Sequence, residues 1–168
     1  STLTYRTGVT MKDLDIEKFQ KVAKDAEEKL GDEIDYASLT APCGIPCFAC
    51  YLYLAGVSED LQQMVAQVLQ VSQEKAVCRG CRAEEGQCAH LPVNCRLFPC
   101  AREKKVELCN QCSDFPCEIL HPYADRSELF HNTKVYHLCL INKMGLDSWA
   151  RLKAKSVRDT YLFGTWCL

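Results

Sequence analysis

The sequence predicts a mostly α protein with irregular, metal-stapled loops: a small helical domain built around two or three cysteine-rich metal sites. Three observations predict it. Helical apolar patterns lie toward both ends of the chain, 13 of its 168 residues are cysteine, and the stretch from Cys78 to Cys117 has no apolar period at all.

Taken in order, Leu14, Ile16, Phe19, Val22, Ala23, Ala26 and Leu30 recur at helical spacing and stop at Gly31. Asp13, Asp15 and Glu17 at the start and Lys29 at the end suit the helix dipole. From Cys43 to Gly56 a tight Cys-Gly-Ile-Pro-Cys turn leads into apolar Tyr51, Leu52, Tyr53 and Leu54, read as a ligand turn feeding a short buried helix. Ser58 is placed to cap a third helix, with Leu61, Met64, Val65, Val68 and Leu69 on one face and an end near Ala76. The segment from Cys78 to Cys117 has too few apolar residues to make a core unaided, so metal is expected to substitute for one. Two further helices are expected, Thr133 to Met144 stopped by Gly145, and Ser148 to about Phe163 capped by Asp147. In the latter, Trp149, Leu152 and Tyr161 are expected to face the rest of the protein. The organisation is therefore an N-terminal helical extension (1–40), a cysteine-rich metal-binding core (41–121) and a C-terminal helical segment packing on it (122–168), within one domain overall.

Residues 1–15 contain no apolar run of signal-peptide type, and no stretch approaches the roughly 18 apolar residues of a membrane span, which predicts a soluble cytoplasmic protein. In a reducing compartment, closely spaced cysteines point to metal rather than disulfides. The formal net charge of −2 counts cysteine as neutral, and each ion held by thiolates makes the protein more acidic. That charge argues against nucleic acid as a partner. An unknown protein partner remains open.

The cysteines fall into four clusters: Cys43-x3-Cys47-x2-Cys50, Cys78-x2-Cys81, Cys88-x6-Cys95-x4-Cys100 and Cys109-x2-Cys112-x4-Cys117. A C-x2-C turn suits a tetrahedral ion because two sulfurs reach one metal while backbone N–H groups point at the thiolates. The eleven thiolates, with His90 as a possible twelfth ligand, predict two or three zinc ions. Sequence does not say which clusters share an ion. His121, His131 and His137 are weaker ligand candidates. Cys139 sits in a helical pattern and is expected to be a small core residue, and Cys167 a free thiol on the tail.

The spacing of Cys43, Cys47 and Cys50 also matches the triad that holds a [4Fe–4S] cluster in radical enzymes using S-adenosylmethionine. The chain after Cys50 is too short and too cysteine-rich for their α/β barrel. Ferredoxin spacings are absent, yet thiolates alone do not choose between zinc and iron, so an iron–sulfur cluster is the alternative cofactor. No phosphate loop, dinucleotide turn, nucleophile elbow or zincin helix occurs, and an enzymatic role is not expected. Arg79, Arg82, Arg96, Arg102, Lys104 and Lys105 lie among the ligands; offsetting thiolate charge explains them better than a basic face for RNA does.

The run Cys43-Gly-Ile-Pro-Cys47-x2-Cys50, Cys78-Arg-Gly-Cys81, Cys95-x4-Cys100-Ala-Arg-Glu-Lys-Lys-Val and Cys109-x2-Cys112-x2-Phe115-Pro116-Cys117 resembles domain-of-unknown-function family 3795. The resemblance covers roughly residues 41–121, with a weaker echo from Ile141 to Trp149. It implies metal binding and an oxygen-poor cytoplasm in anaerobic bacteria and archaea, and it offers no activity. The protein is thus expected to be a zinc-stabilised interaction or regulatory module. The alternatives are an iron–sulfur or thiol redox protein and, behind it, a nucleic-acid-binding zinc module.

Overall fold

Asp15 starts the first helix, α1 (Ile16–Leu30), by accepting the Lys18 N–H on its carboxylate at 3.1 Å, and Gly31 closes it at φ 74°. This is seen in a computed structural model, which describes residues 14–91, 93–127 and 129–165. Among those residues α-helices and short 3-10 turns make the fold, with no strand beyond an isolated antiparallel bridge between Thr40 and Pro46. Asp13 and Cys167 lie outside the described residues. None of the described helices is long and apolar enough to cross a membrane.

Two apolar cores organise the helices. In the first, Phe19, Ala23 and Ala26 of α1 meet Tyr51 and Leu54 of α2 (Tyr51–Leu54) and Leu61 and Val65 of α3 (Glu59–Leu69). The Phe19 and Tyr51 rings meet edge-on at 4.8 Å. Ser58 caps α3 as expected, its hydroxyl accepting the Leu61 N–H at 3.3 Å. The helix ends at Leu69 rather than near Ala76. Gln70 turns left-handed at φ 54°, its N–H reaching the Gln67 carbonyl and the Val71 N–H the Ala66 carbonyl. Gln73–Ala76 is a separate 3-10 turn that buries Ala76.

The second core joins Phe48 and Ile45 to Leu97 of α4 (Leu97–Glu103), Leu138 and Ile141 of α5 (Lys134–Met144) and Trp149 of α6 (Leu146–Leu152). Helix α4 lies inside the segment that lacks apolar period. Its Pro99 falls in the first turn, where a missing N–H costs nothing. Gly145 ends α5 as expected. The stretch expected as one helix from Ser148 to Phe163 is two: α6 begins at Leu146 with Asp147 inside its first turn, and Lys153 at φ −126° breaks it from α7 (Ala154–Phe163). The break turns Trp149 into the core and leaves Leu152 67% exposed, so Leu152 does not face the protein. Tyr161 does so through its hydroxyl, which donates to the Ser127 carbonyl. Cys139 is exposed on α5, not a core residue, because Leu138 and Ile141 occupy the buried face.

Arg158 of α7 ties the two cores together. It is 4% exposed, its Nη1 donates to the Ala49 carbonyl at 2.6 Å and to Glu27 at 2.9 Å, and its guanidinium stacks over Tyr51.

Candidate metal centre

The cysteines are positioned by backbone contacts that fold the four clusters onto one another. The Ala41 N–H donates to the Ile45 carbonyl at 2.9 Å, closing the Cys43 turn, and Gly44 takes φ 87° inside it. A Cβ on Gly44 would lie 2.8 Å from Leu138 Cγ, so only glycine allows this turn to seat against α5. The Cys50 N–H then returns to the Cys47 carbonyl at 3.0 Å. Downstream, the Cys78 N–H bonds the Leu52 carbonyl at 3.0 Å, laying the second cluster beside the first.

Cys47, Cys50, Cys78 and Cys88 form one neighbourhood. Cys78 Sγ and Cys88 Sγ are 3.8 Å apart. The Gly80 N–H points at Cys78 Sγ at 3.3 Å, and the Cys81 N–H at Cys47 Sγ at 3.3 Å. Contact with Cys88, opposed by burial and helped by Gly80, brings the Cys78 thiol down to about 7, while the same contact pushes Cys88 up. Burial pushes Cys47 up to about 12, and Cys50 is raised by burial, with the Cys78 charge adding to it. Cys47, Cys50 and Cys88 favour their protons unless a cation replaces them.

A second neighbourhood contains Cys43, Cys81 and Cys95. The Gly86 N–H bonds the Cys81 carbonyl at 3.0 Å and the Cys95 N–H bonds the Gly86 carbonyl at 3.1 Å, so the chain doubles back to bring Cys95 beside Cys81. Burial pushes Cys43 up to about 11; the Cys95 charge adds to this and Lys134 opposes it. Burial also raises Cys81, and the charges of Cys43, Cys47 and Cys95 act in the same direction.

The third neighbourhood is Cys100 on α4 with Cys109, Cys112 and Cys117. The Cys109 N–H donates to the Pro42 carbonyl at 2.7 Å, docking this last cluster on the first, and the Cys112 N–H returns to Cys109 at 3.1 Å. All four cysteines line a concavity of about 290 Å³. Burial pushes Cys109 up to about 12, with Cys43, Cys117, Cys100 and Cys112 adding their charges. Among the described residues, no three Cys, His, Asp or Glu side chains converge on a single ion position as they stand.

All of these neighbourhoods lie within residues 39–122, which match a family model described as protein of unknown function (DUF3795). The chain belongs to the DUF3795 family. Neither a curated protein nor a solved structure matches it. In this DUF3795 chain the first cluster is shared: Cys47 and Cys50 lie within electrostatic reach of Cys78, Cys43 within reach of Cys81, Cys95 and Cys109, and Cys47 also borders Cys43 and Cys81.

His90 has both ring nitrogens buried without a partner, 6.3 Å between its ring centre and that of His131. His121 is exposed and held by the Pro122 carbonyl, and His137 accepts the Trp149 indole N–H at 3.0 Å. Several of the basic residues are paired with carboxylates, Arg79 with Glu84, Arg82 with Glu107, Arg102 with Glu85 and Lys104 with Asp114. Arg82 also donates to the Thr40 carbonyl at 2.9 Å, bracing the turn before Cys43. Sequence reasoning missed Lys134, which is 2% exposed over the Tyr123 ring and within electrostatic reach of Cys43. A lysine opening a helix has no sequence mark that distinguishes it from a solvated one.

Proposed function

We propose that this DUF3795 chain is a cytoplasmic thiolate–metal protein. In this reading Cys47, Cys50, Cys78 and Cys88 hold one zinc ion that staples the first half of the cysteine-rich segment to the second. The observation that carries it is the 3.8 Å between Cys78 Sγ and Cys88 Sγ. Four thiolates about 2.3 Å from a tetrahedral ion are held about 3.8 Å from each other. The N–H groups of Gly80 and Cys81 aimed at Cys78 and Cys47 supply the donors that thiolate ligands need. Cys43, Cys81 and Cys95 form a three-thiolate group able to take a second ion. The role of such stapled sites is to build a surface for a protein partner. A nucleic-acid role is disfavoured, since Arg79, Arg82, Arg102 and Lys104 are already engaged by carboxylates.

Anaerobic purification followed by native mass spectrometry and zinc analysis of the wild type and Cys88→Ser tests this. The variant is expected to carry one zinc fewer and to melt at lower temperature. Equal zinc content in the two proteins, or a wild type without zinc, would overturn the reading.

A further inference from the structure

The four cysteines Cys100, Cys109, Cys112 and Cys117 all line one concavity of about 290 Å³, walled also by Leu97, Val106, Phe115 and Ile119. One water occupies about 30 Å³ of liquid volume, and a single bare ion needs no more room than that. A zinc ion with four thiolates would draw the sulfurs together to about 3.8 Å and close the space between them. A cubane cluster instead gives each thiolate its own iron and fills the space between the cysteines with its own irons and sulfides. Leu97, Val106, Phe115 and Ile119 would set apolar side chains beside its inorganic sulfides. Lys104, ion-paired with Asp114, lies on the same wall within electrostatic reach of Cys112 and Cys100.

We propose that Cys100, Cys109, Cys112 and Cys117 ligate one [4Fe–4S] cluster in this concavity, apart from the single-ion group at Cys47, Cys50, Cys78 and Cys88. The inference rests on the thiolate–metal reading and assigns a different cofactor to a different group. On ligation each thiol gives up its proton and binds one iron. The spacing of these four cysteines matches no ferredoxin pattern, so the geometry carries the assignment.

The test uses the full chain, purified without oxygen and incubated with equal amounts of ferrous and ferric iron and with sulfide, so that two irons of each state and four sulfides make up the cluster without a further oxidant. Iron, acid-labile sulfide, zinc and visible charge-transfer absorption are measured on the wild type, Cys112→Ser, Cys117→Ser and Cys88→Ser. About four irons and four sulfides per chain are expected in the wild type, with the visible band lost in Cys112→Ser and Cys117→Ser and kept in Cys88→Ser. A colourless wild type whose zinc falls by one in Cys112→Ser would overturn the cluster and leave the zinc staple standing. A visible band lost in Cys88→Ser but kept in Cys112→Ser would overturn both, and so would a chain that binds no metal. Should one serine variant fail to fold, the other and the wild-type iron-to-sulfide ratio still decide.

Discussion

His137 lies fully buried against Trp149 and Phe130, with its Nδ1 accepting the Trp149 indole N–H at 3.0 Å, which leaves the proton of the neutral ring on Nε2. That Nε2 is buried without a partner, and burial pushes the imidazole down to about 4 from its usual 6.5. The unfolded chain therefore takes up the proton first as the solution is acidified. The stabilising effect of the neutral ring is complete above pH 6.5, is lost as the pH falls from 6.5 to 4, and then levels off at a total of about 3 kcal/mol. In His137→Gln an amide oxygen can still accept from Trp149, but this titration is gone. Denaturant unfolding followed by tryptophan fluorescence at several pH values should show wild-type stability falling more steeply than that of the variant over this window. Any bound metal and the titration of His131, which burial also lowers to about 4, are common to both proteins and cancel in the difference. Parallel curves would mean that His137 is protonated in the fold at little cost.

Helices α3 and α4 end in the same way. At Gln70 and at Lys105 the backbone is left-handed, at φ 54° and 53°, and the next residue's N–H, from Val71 and Val106, reaches back five residues to Ala66 and Ala101. Glycine normally marks such an end, and neither position is glycine, so the α3 boundary near Ala76 could not be corrected by sequence pattern. A side chain in the left-handed region costs about 1 kcal/mol. Gln70 is exposed and its side chain is not needed for the two backbone bonds, so Gln70→Gly should stabilise the protein by about 1 kcal/mol, read as a rise of roughly 2–4 °C in melting temperature. An unchanged or lower value would show that the glycine's extra freedom in the unfolded chain outweighs the relief. Elements with an explicit mark were legible: Ser58 as a cap, Gly31 and Gly145 as stops, the amphipathic face of α1. The break at Lys153 has no glycine or proline to announce it. It exists because α6 must bury Trp149 beside His137 while α7 carries Arg158 to Ala49 and Glu27, a tertiary demand that no local pattern carries.

At the scale of the molecule the two cores depend on the cysteines to different degrees. The core of Phe19, Ala23, Ala26, Tyr51, Leu54, Leu61 and Val65 contains no cysteine, whereas the core around Phe48 and Trp149 includes Cys43, Cys47 and Cys109. The sequence made the four clusters legible but not how they fold onto one another, because C-x2-C spacing reports neighbours in the chain and the arrangement is made by Gly86 and by the contacts of Cys78 with Leu52 and Cys109 with Pro42. If metal holds these groups, removing it should loosen the chain unevenly. Residues 78–117 contribute only a few buried side chains, Leu97, Phe98, Ala101 and Leu108 among them, against an ordering entropy of roughly 1–2 kcal/mol per residue. Helix α1 keeps its apolar contacts whether or not the thiols are ligated, and α7 keeps the Arg158 ties to Glu27 and Ala49. Limited proteolysis after treatment with a strong chelator should thus cut within residues 78–117 before it cuts within 16–30 or 154–163. The order is read by mass spectrometry of the fragments over time, with metal loss measured on the same sample. Identical cleavage patterns with and without the metal would mean that the cysteine-rich segment is held by its apolar contacts and backbone hydrogen bonds alone.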